Sequence, residues 1–454
     1  MSTITSCNPY TGEINATFET ISDAQLDTII DRAYTAYYSR KQTSWSERKS
    51  FFLKLADILE RDIDHHAKLE TIEMWRLYHI ARNGLNASVG LIRRFANNAE
   101  RILANEPIDS EWLIWHSQYD PIGVIYGIAP WNFPYNQLLR AAVPNILAWN
   151  TQVYKHASNV PLCAQAIEQL FIEAGFPEWV YTNMYISSSQ SEHIIAHPAI
   201  RWVNITGGEF AGSTIGALAG KYLKPSVLEL GWNDAFILLD HKDTDAMVAA
   251  AVSCRISNGG QRCNSSKRFI ILEQYYDNFC DKMAAYMSNL IIGDPMSETT
   301  QISSLATASL VQEIHTQVTT SIAQWARCLT GWKIIDPDRN IYAPTVLADV
   351  QPGMMTYDQE VFWPVASIVK AKDIADAITI ANNNDLGLSA VVYGDDIDQC
   401  KQVARQLEWG MIFINQAPGS KASLPFGGVK KSGYGKENWP EGLKAFMNKK
   451  VILY

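Results

Sequence analysis

The stretch Ile122-Gly-Val-Ile-Tyr-Gly-Ile128, followed closely by Pro130-Trp-Asn-Phe-Pro134, decides the fold that this sequence predicts. An apolar run that ends shortly before a proline is typical of a buried strand. Downstream of it, strand-like and helix-like patterns alternate. The predicted strands are Gln152 to Lys155, Val180 to Tyr185, Trp202 to Thr206 and Ser226 to Leu230, and the predicted helices between them are Pro161 to Ala174, Ser189 to His197 and Ala211 to Gly220. This alternation predicts parallel βαβ units and an α/β fold.

Regular patterns also flank this part of the chain. Amphipathic periodicity predicts a helical layer before it, and a second α/β block follows from Ala235 to Phe426. The helices predicted in these two regions are Asp23 to Ser39, Ser46 to Asp64, His66 to Leu103, Thr244 to Asn258, Gln274 to Asn289, Ser304 to Cys328 and Ile374 to Asn383. The last residues, Lys449 to Tyr454, predict a strand.

Composition excludes several classes of protein. The chain has 454 residues, 47% of them hydrophobic and 19% charged, so it is too apolar to be disordered. A net charge of -9 without long runs of either sign argues against nucleic acid as a partner. No stretch predicts a membrane helix or a signal peptide, so we expect a cytoplasmic protein with no membrane partner. Seven cysteines without a CxxC spacing predict neither disulfides nor a zinc site, and we expect no metal.

Two segments carry residues that suit nucleophilic and general-base chemistry. In Asn258-Gly-Gly-Gln-Arg-Cys263 a cysteine follows a glycine-rich turn, where a substrate can approach the backbone closely. In Val227-Leu-Glu-Leu-Gly231 apolar neighbours would desolvate Glu229 and raise its pKa toward that of a general base. Each has an ordinary alternative, because most single cysteines are inert core residues and Glu229 could pair with a structural Arg or Lys.

Two turns that follow predicted strands are weaker candidates. Asn132 in the turn before Pro134 could donate its amide to a developing oxyanion, although the segment is equally typical of a packed loop. Gly207-Gly208 lies between a strand and a helix, as in a phosphate-binding site. The spacing to Gly212 is not that of a dinucleotide-binding GxGxxG motif, so this signal alone is weak.

Taken together and in order, these segments resemble the aldehyde dehydrogenase superfamily over nearly the whole chain. The motifs that carry the resemblance are Asn8-Pro-Tyr-Thr-Gly12, Pro121-Ile-Gly-Val124, Pro130-Trp-Asn-Phe-Pro134, Lys155, Val227-Leu-Glu-Leu-Gly231, Gly260-Gln-Arg-Cys263, Glu360-Val-Phe362 and Pro425-Phe-Gly-Gly428. Within the family, the segments most similar to the short succinate-semialdehyde dehydrogenases of bacteria are Lys155-His-Ala-Ser158, Gly231-Trp-Asn-Asp234 and Leu424 to Gly433.

The resemblance implies an α/β, aldehyde dehydrogenase-like fold in three parts. The expected parts are a Rossmann-like NAD(P)-binding domain (1–110 and 128–228), a catalytic domain with the nucleophilic cysteine (229–425) and a small β oligomerisation arm (111–127 and 436–454). The arm implies a homodimer or homotetramer, because exposed strand edges need a partner.

The resemblance also implies NAD(P)-dependent oxidation of a small aldehyde, with succinic semialdehyde the first candidate, to the carboxylic acid. Cys263 would attack the carbonyl, and the amide of Asn132 and the backbone N–H of Cys263 would hold the oxyanion. After hydride transfer, Glu229 would activate the water that hydrolyses the thioester. A relative that transfers the thioester to CoA is the rival reaction, and Glu229 argues against it because hydrolysis would compete.

Further residues match the family's binding positions. Those for the cofactor are Trp131, Lys155, Ser158, Gly207, Gly208, Glu360 and Phe362. Relatives that use NAD often carry Glu at the position of Ser158. Because serine leaves room and no negative charge for a 2′-phosphate, the sequence favours NADP, with NAD as the alternative. Phe133 and Phe426 match the substrate tunnel, and Arg140 could either hold a distal carboxylate or form a structural ion pair.

Tryptophan occurs repeatedly where the family pattern has glycine. Of 14 tryptophans, nine occupy such positions: Trp75, Trp149, Trp179, Trp202, Trp232, Trp325, Trp332, Trp363 and Trp439. Nine such changes at about 1–3 kcal/mol each would sum to roughly 9–27 kcal/mol, against a typical folding free energy of about 5–15 kcal/mol. We therefore hypothesise that the source organism reads one codon, most simply UGA, as glycine. If Trp232 and Trp363 are genuine, the alternative is a catalytically impaired or inactive homologue.

Overall fold

A computed structural model of the chain describes residues 2–40, 43–108, 115–240 and 242–453. The helices are α1 (Asp23–Arg40), α2 (Trp45–Arg61), α3 (Ile63–Met74), α4 (Tyr78–Ile102), α5 (Pro134–Leu147), α6 (Pro161–Glu173), α7 (Ser191–Ala196), α8 (Glu209–Lys221), α9 (Thr244–Ile256), α10 (Glu273–Ser288), α11 (Ala308–Ala323), α12 (Met355–Asp358), α13 (Ile374–Asn382), α14 (Ile397–Ala404) and α15 (Glu441–Lys444). The strands are β1 (Thr3–Cys7), β2 (Ile14–Glu19), β3 (Glu106–Ile108), β4 (Trp115–Pro121), β5 (Val124–Ile128), β6 (Thr151–Lys155), β7 (Tyr181–Asn183), β8 (Ile200–Thr206), β9 (Ser226–Glu229), β10 (Ala235–Leu238), β11 (Arg268–Leu272), β12 (Arg327–Thr330), β13 (Ile334–Asp336), β14 (Ile341–Tyr342), β15 (Thr345–Ala348), β16 (Val365–Ala371), β17 (Leu386–Gly387), β18 (Ser389–Tyr393), β19 (Met411–Ile414), β20 (Val429–Lys430), β21 (Gly433–Tyr434) and β22 (Met447–Leu453).

The alternating region forms a six-stranded sheet in the order β21-β9-β8-β5-β6-β7. Strands β9, β8, β5, β6 and β7 are parallel to their neighbours, and the short β21 pairs antiparallel with β9. Four of the five residues of β5 are buried, because helices cover both faces of a parallel sheet. The predicted βαβ units and the α/β fold are confirmed.

The second α/β block forms a seven-stranded sheet in the order β12-β15-β16-β11-β10-β18-β19. All residues of β10 and β11 are buried, which explains their continuous apolar sequence. In this sheet β12 alone pairs antiparallel with its neighbour, β15. The seven-stranded sheet lies within a single hydrophobic cluster, whereas separate clusters pack against the six-stranded sheet.

A separate three-stranded antiparallel sheet has the order β22-β4-β3. The predicted arm begins at residue 111, and residues 109–114 lie outside the described residues. From Trp115 onward β4 pairs with β22 along its whole length and with β3 on its other side. The role of this sheet in oligomerisation, like the three-domain division, stays a prediction.

Two helix predictions are wrong in length. The predicted helix from His66 to Leu103 is two helices, α3 and α4, because Trp75 has φ 69° and ψ 24° and ends α3. The predicted helix from Ser304 to Cys328 is only α11, and strand β12 begins soon after Trp325, which has φ 82°. Both breaks occur at a tryptophan where the family pattern has glycine.

Five of the nine tryptophans at family glycine positions have a left-handed backbone. Their φ angles lie between 63° and 82°, and the residues are Trp75, Trp149, Trp179, Trp325 and Trp332. Left-handed φ is routine for glycine and costs other residues about 1–2 kcal/mol. Asparagine, which tolerates it better, accounts for four more of the described non-glycine residues with positive φ.

The cost of tryptophan in a left-handed conformation is clearest at the end of α11. Trp325 N–H donates to the Ile322 carbonyl and Ala326 N–H to the Ser321 carbonyl, both at 3.0 Å, which is the Schellman arrangement. Helix α6 ends in the same way with Gly175, whose φ is 83°. Trp325 is 89% exposed, so packing does not offset its strain. Leu223 occupies the same left-handed position after α8, so the Schellman motif accepts a residue other than glycine at a cost in backbone strain.

In the part of the chain that the structure describes, no helix has the length and apolar character needed to cross a membrane. These residues also contain no group of three or more His, Cys, Asp or Glu side chains placed to share a metal ion.

Candidate active site

Cys263 lies in the loop between α9 and β11, and a tight left-handed turn positions it. Asn258, Gly259 and Gly260 have φ angles of 55°, 61° and 70°. A Cβ on Gly260 would lie 2.6 Å from backbone atoms of Trp363 and Pro364, so this position needs glycine. The turn places Cys263 on a wall between two cavities.

The larger cavity has a volume of about 630 Å³ and the smaller one about 260 Å³. The larger cavity lies at the carboxyl ends of β5, β6, β8 and β9, where open parallel sheets bind their ligands. The smaller cavity lies between α4, α5 and the loop of Cys263. Cys263 and Gln137 line both cavities, so the thiol has access to each.

Most of the predicted cofactor residues line the larger cavity. They are Trp131, Lys155, Gly207, Gly208, Glu360 and Phe362. Ser158 is exposed and is not among the lining residues, although Ala157 beside it is. The rings of Trp131 and Phe362 meet edge to face with centroids 5.6 Å apart, which fixes one side of the cavity.

Lys267 connects the loop of Cys263 to the larger cavity. Its Nζ lies 3.0 Å from Glu360 Oε1, and it also donates to the carbonyl oxygen of Cys263. Lys267 is 1% exposed in its side chain, so its charge needs this partner. The sequence did not lead us to single out Lys267. The signal that could have identified it is a lysine immediately before the apolar strand β11.

Asn132 is held against the same loop. Its Nδ2 donates to the Gln261 carbonyl at 3.1 Å, and Asn258 Nδ2 donates to the Asn132 carbonyl at 3.2 Å. A primary amide carries two N–H groups, so Asn132 has a second donor besides the one that Gln261 uses. Asn132 and Cys263 both line the larger cavity.

Charged neighbours act on the Cys263 thiol in opposition to burial. Burial raises the pKa of Cys263, while the positive charges of Arg140, Lys267 and Arg262 favour the thiolate. The net direction is upward, so the thiol is the resting form. A proton must therefore leave before Cys263 can act as a nucleophile.

Glu229 ends β9 and is completely buried. Neither carboxylate oxygen has a hydrogen-bond partner in the described structure, and Oε1 lies where a Cβ on Gly427 would be only 2.7 Å away. Burial, and then the charge of Glu437, raise the pKa of Glu229 well above its usual range. Glu229 thus has the environment of a general base, although it is not among the residues lining either cavity.

The three predicted substrate residues, Phe133, Arg140 and Phe426, all line the smaller cavity. The Arg140 side chain donates to the carboxylate of Glu437 and to Gln137, and its guanidinium carbon lies 4.1 Å from the centroid of the Phe426 ring. Of the two alternatives for Arg140, the structure contains the ion pair. No local sequence signal indicated Glu437, which is 297 residues away in the chain.

Comparison with known proteins gives the family. The sequence matches the aldehyde dehydrogenase family over residues 1–452. The chain belongs to the aldehyde dehydrogenase family. As a member it is an NAD(P)-dependent oxidoreductase that acts on aldehydes, and the predicted resemblance, fold and enzyme class are confirmed.

Among its relatives in the family are several named succinate-semialdehyde dehydrogenase [NADP(+)]. The one from Deinococcus radiodurans is 36% identical over 98% of this chain and 93% of the relative. The one from Mycobacterium avium is 39% identical over 99% of this chain and 96% of the relative. A crystal structure of succinic semialdehyde dehydrogenase from Streptococcus pyogenes in complex with NADP+ superimposes with a TM-score of 0.97 at 35% identity, covering 99% of both chains.

Two tryptophans at family glycine positions lie near this aldehyde dehydrogenase site. Trp232 lines the larger cavity and packs with Leu388 and Phe426 in a cluster that Cys263 contacts. Its ring passes so close to Gly428 that a Cβ there would lie 2.3 Å away. Trp363 is buried outside the lining residues, and its indole N–H donates to the Tyr342 carbonyl at 3.1 Å. Only Trp232 therefore takes space beside the thiol, and nothing in the comparisons points to an impaired enzyme.

Proposed function

We propose that the protein oxidises a short aldehyde with a terminal carboxylate, succinic semialdehyde first of all, to the acid with NADP as cofactor. The observation that carries this proposal is the position of Cys263 between a large cavity at the strand ends and a small cavity lined by arginines. The names of the relatives from Deinococcus radiodurans and Mycobacterium avium support the same substrate and cofactor.

The residues of the larger cavity fit a dinucleotide. Gly207 and Gly208 precede α8, and a Cβ on Gly208 would have open space around it, so the helix N-terminus is accessible to a pyrophosphate. Lys155 and Lys431 on the cavity wall supply positive charge. A bound cofactor would supply the hydride acceptor.

The residues around Cys263 would carry out the chemical steps of the reaction. Cys263 adds to the aldehyde carbonyl, and the second amide N–H of Asn132 with the backbone N–H of Cys263 stabilises the oxyanion. Loss of hydride leaves a thioester on Cys263. Glu229, in its ionised form, then takes a proton from the water that attacks the thioester; the C–S bond breaks, the Cys263 thiolate is released and the carboxylic acid leaves.

The direct test of this function is NADPH formation by the purified chain with succinic semialdehyde in the absence of CoA. We expect turnover with NADP+ and slower turnover with NAD+. Absence of turnover with either cofactor, for succinic semialdehyde and for simple aldehydes, would contradict the proposal. A requirement for CoA would favour the acyl-transferring reaction instead.

Changing Ser158 to Glu should reverse the cofactor preference. A carboxylate beside the ribose would repel the 2′-phosphate, so we expect the KM for NADP+ to rise about tenfold or more, with a much smaller change for NAD+. Steady-state kinetics with both cofactors measure this. The matched control is Ser158→Gln, which adds the bulk without the charge, and an equal loss in that variant would show that size rather than charge decides.

A further inference from the structure

The smaller cavity is lined by three arginines, and two of them are paired with carboxylates. Arg76 Nη1 lies 2.8 Å from Glu70 Oε2, and Arg140 pairs with Glu437. For the third, Arg262, no carboxylate of the described residues lies within ion-pair distance. The cavity therefore has an uncompensated positive charge on its wall.

Arg262 is nevertheless held in a defined orientation by neutral acceptors. Nε donates to Asn264 Oδ1 at 2.6 Å, Nη1 to Ser257 Oγ at 2.8 Å and Nη2 to the Pro418 carbonyl at 3.0 Å. A guanidinium has five N–H groups, so Nη1 and Nη2 each keep one more donor. This pair of donors matches the fork geometry with which arginine binds a carboxylate.

The surroundings of Arg262 favour an anion in the cavity. Burial and the nearby positive charge of Arg76 both lower the pKa of Arg262, so its charged form is less stable than on the surface. Partial burial of a cation without a carboxylate partner costs desolvation free energy, and a bound anion would offset that cost. From the sequence, Arg140 could either hold the distal carboxylate or form a structural ion pair, and in the structure Glu437 already balances its charge.

We propose that Arg262 binds the distal carboxylate of the substrate, so that the residue next to the nucleophile selects short aldehydes with a terminal acid. Arg262 and Cys263 both line the smaller cavity, so a short aldehyde bound there can contact both side chains. Phe133 and Phe426 supply apolar walls for the methylene groups. This inference rests on the proposed function, because it names the specificity residue of the same site.

The test compares succinic semialdehyde with butanal, which has the same chain length and a methyl group in place of the carboxylate. In Arg262→Gln we expect kcat/KM for succinic semialdehyde to fall about 10- to 100-fold, mainly through KM, because a hydrogen bond to a charged group is lost. For butanal we expect a much smaller loss, because no carboxylate contact is lost and Arg262 is only one of three positive charges that favour the Cys263 thiolate. Arg262→Lys, which keeps the charge without the fork, should recover part of the loss.

Lys421 provides a charge-matched control. Lys421 is an exposed cation that follows the cavity-lining residue Ser420 in the chain and does not itself line the cavity. Lys421→Gln should therefore leave kcat/KM for both substrates unchanged. Each variant is checked for an unchanged unfolding midpoint and NADP+ affinity. If Arg262→Gln fails to fold, Arg262→Lys carries the comparison of the two substrates.

The outcomes separate this inference from the proposed function. A native chain that oxidises neither aldehyde contradicts the function itself. A native chain that oxidises both equally well, or an Arg262→Gln variant that loses both activities in equal measure, overturns the role of Arg262 and leaves aldehyde oxidation intact.

Discussion

Replacing Cys263 with serine should lower kcat for succinic semialdehyde about 1,000-fold or more, because a serine hydroxyl has a much higher pKa than a thiol and is a far weaker nucleophile. The other candidate groups do not replace the thiol, since the carboxylate of Glu229 is a weak nucleophile and the amide of Asn132 is not nucleophilic. Binding of NADP+ should persist, because the larger cavity is otherwise unchanged. NADPH formation and cofactor titration measure the two effects separately.

The matched control for this prediction is Cys328→Ser. Cys328 is also a free, half-buried cysteine, and it lies in β12 at the edge of the seven-stranded sheet. We expect that variant to keep nearly full activity. A Cys263→Ser variant that retains more than a tenth of the native kcat would contradict the assignment of the nucleophile.

Replacing the two exposed left-handed tryptophans, Trp325 and Trp332, with glycine should increase the free energy of unfolding by about 1–2 kcal/mol. Each site gains about 1–2 kcal/mol from relief of backbone strain and returns part of it through the greater entropy of glycine in the unfolded chain. Contributions from distant sites should add. Trp325 and Trp332 are 89% and 49% exposed, so their replacement loses little packing.

Urea unfolding of the unaltered chain and of the variant with glycine at positions 325 and 332 measures this gain. The control is Trp409→Gly, the same chemical change at a buried tryptophan without positive φ, which should destabilise the protein by leaving a cavity. Lower stability of the two-site variant would contradict the proposed backbone strain.

The codon hypothesis has its own test in the native protein. Mass spectrometry of the peptide that spans position 325 should give the mass for glycine, and the gene should carry UGA there. UGG codons at the nine positions would refute the hypothesis and make the tryptophans genuine.

The sequence predicted those parts of the molecule that depend on local pattern. Alternation after Ile122 predicted the six-stranded sheet, because buried parallel strands are apolar throughout. Motifs selected Cys263 and Asn132, which the structure brings to one cavity wall. The break at Trp75 was missed because tryptophan carries no signal for a left-handed helix end, whereas glycine would have predicted it.

The rest of the site depends on contacts between distant segments. Glu437 reaches Arg140 across 297 residues, and Lys267 pairs with Glu360 from another loop. Each of these charges is buried, and only the folded arrangement shows which opposite charge accompanies it. For the same reason the sequence could not show that Arg262, rather than Arg140, lacks a carboxylate partner.

We propose that aldehyde oxidation proceeds through a thioester on Cys263, which is hydrolysed with Glu229 as the general base. The most direct measurement is the intact mass and peptide mass of Glu229→Gln after incubation with succinic semialdehyde and NADP+. We expect one added succinyl group, on the peptide containing Cys263, that forms only when NADP+ is present, because the thioester requires loss of hydride. No adduct, an adduct on another residue, or an equal adduct without NADP+ would contradict the account.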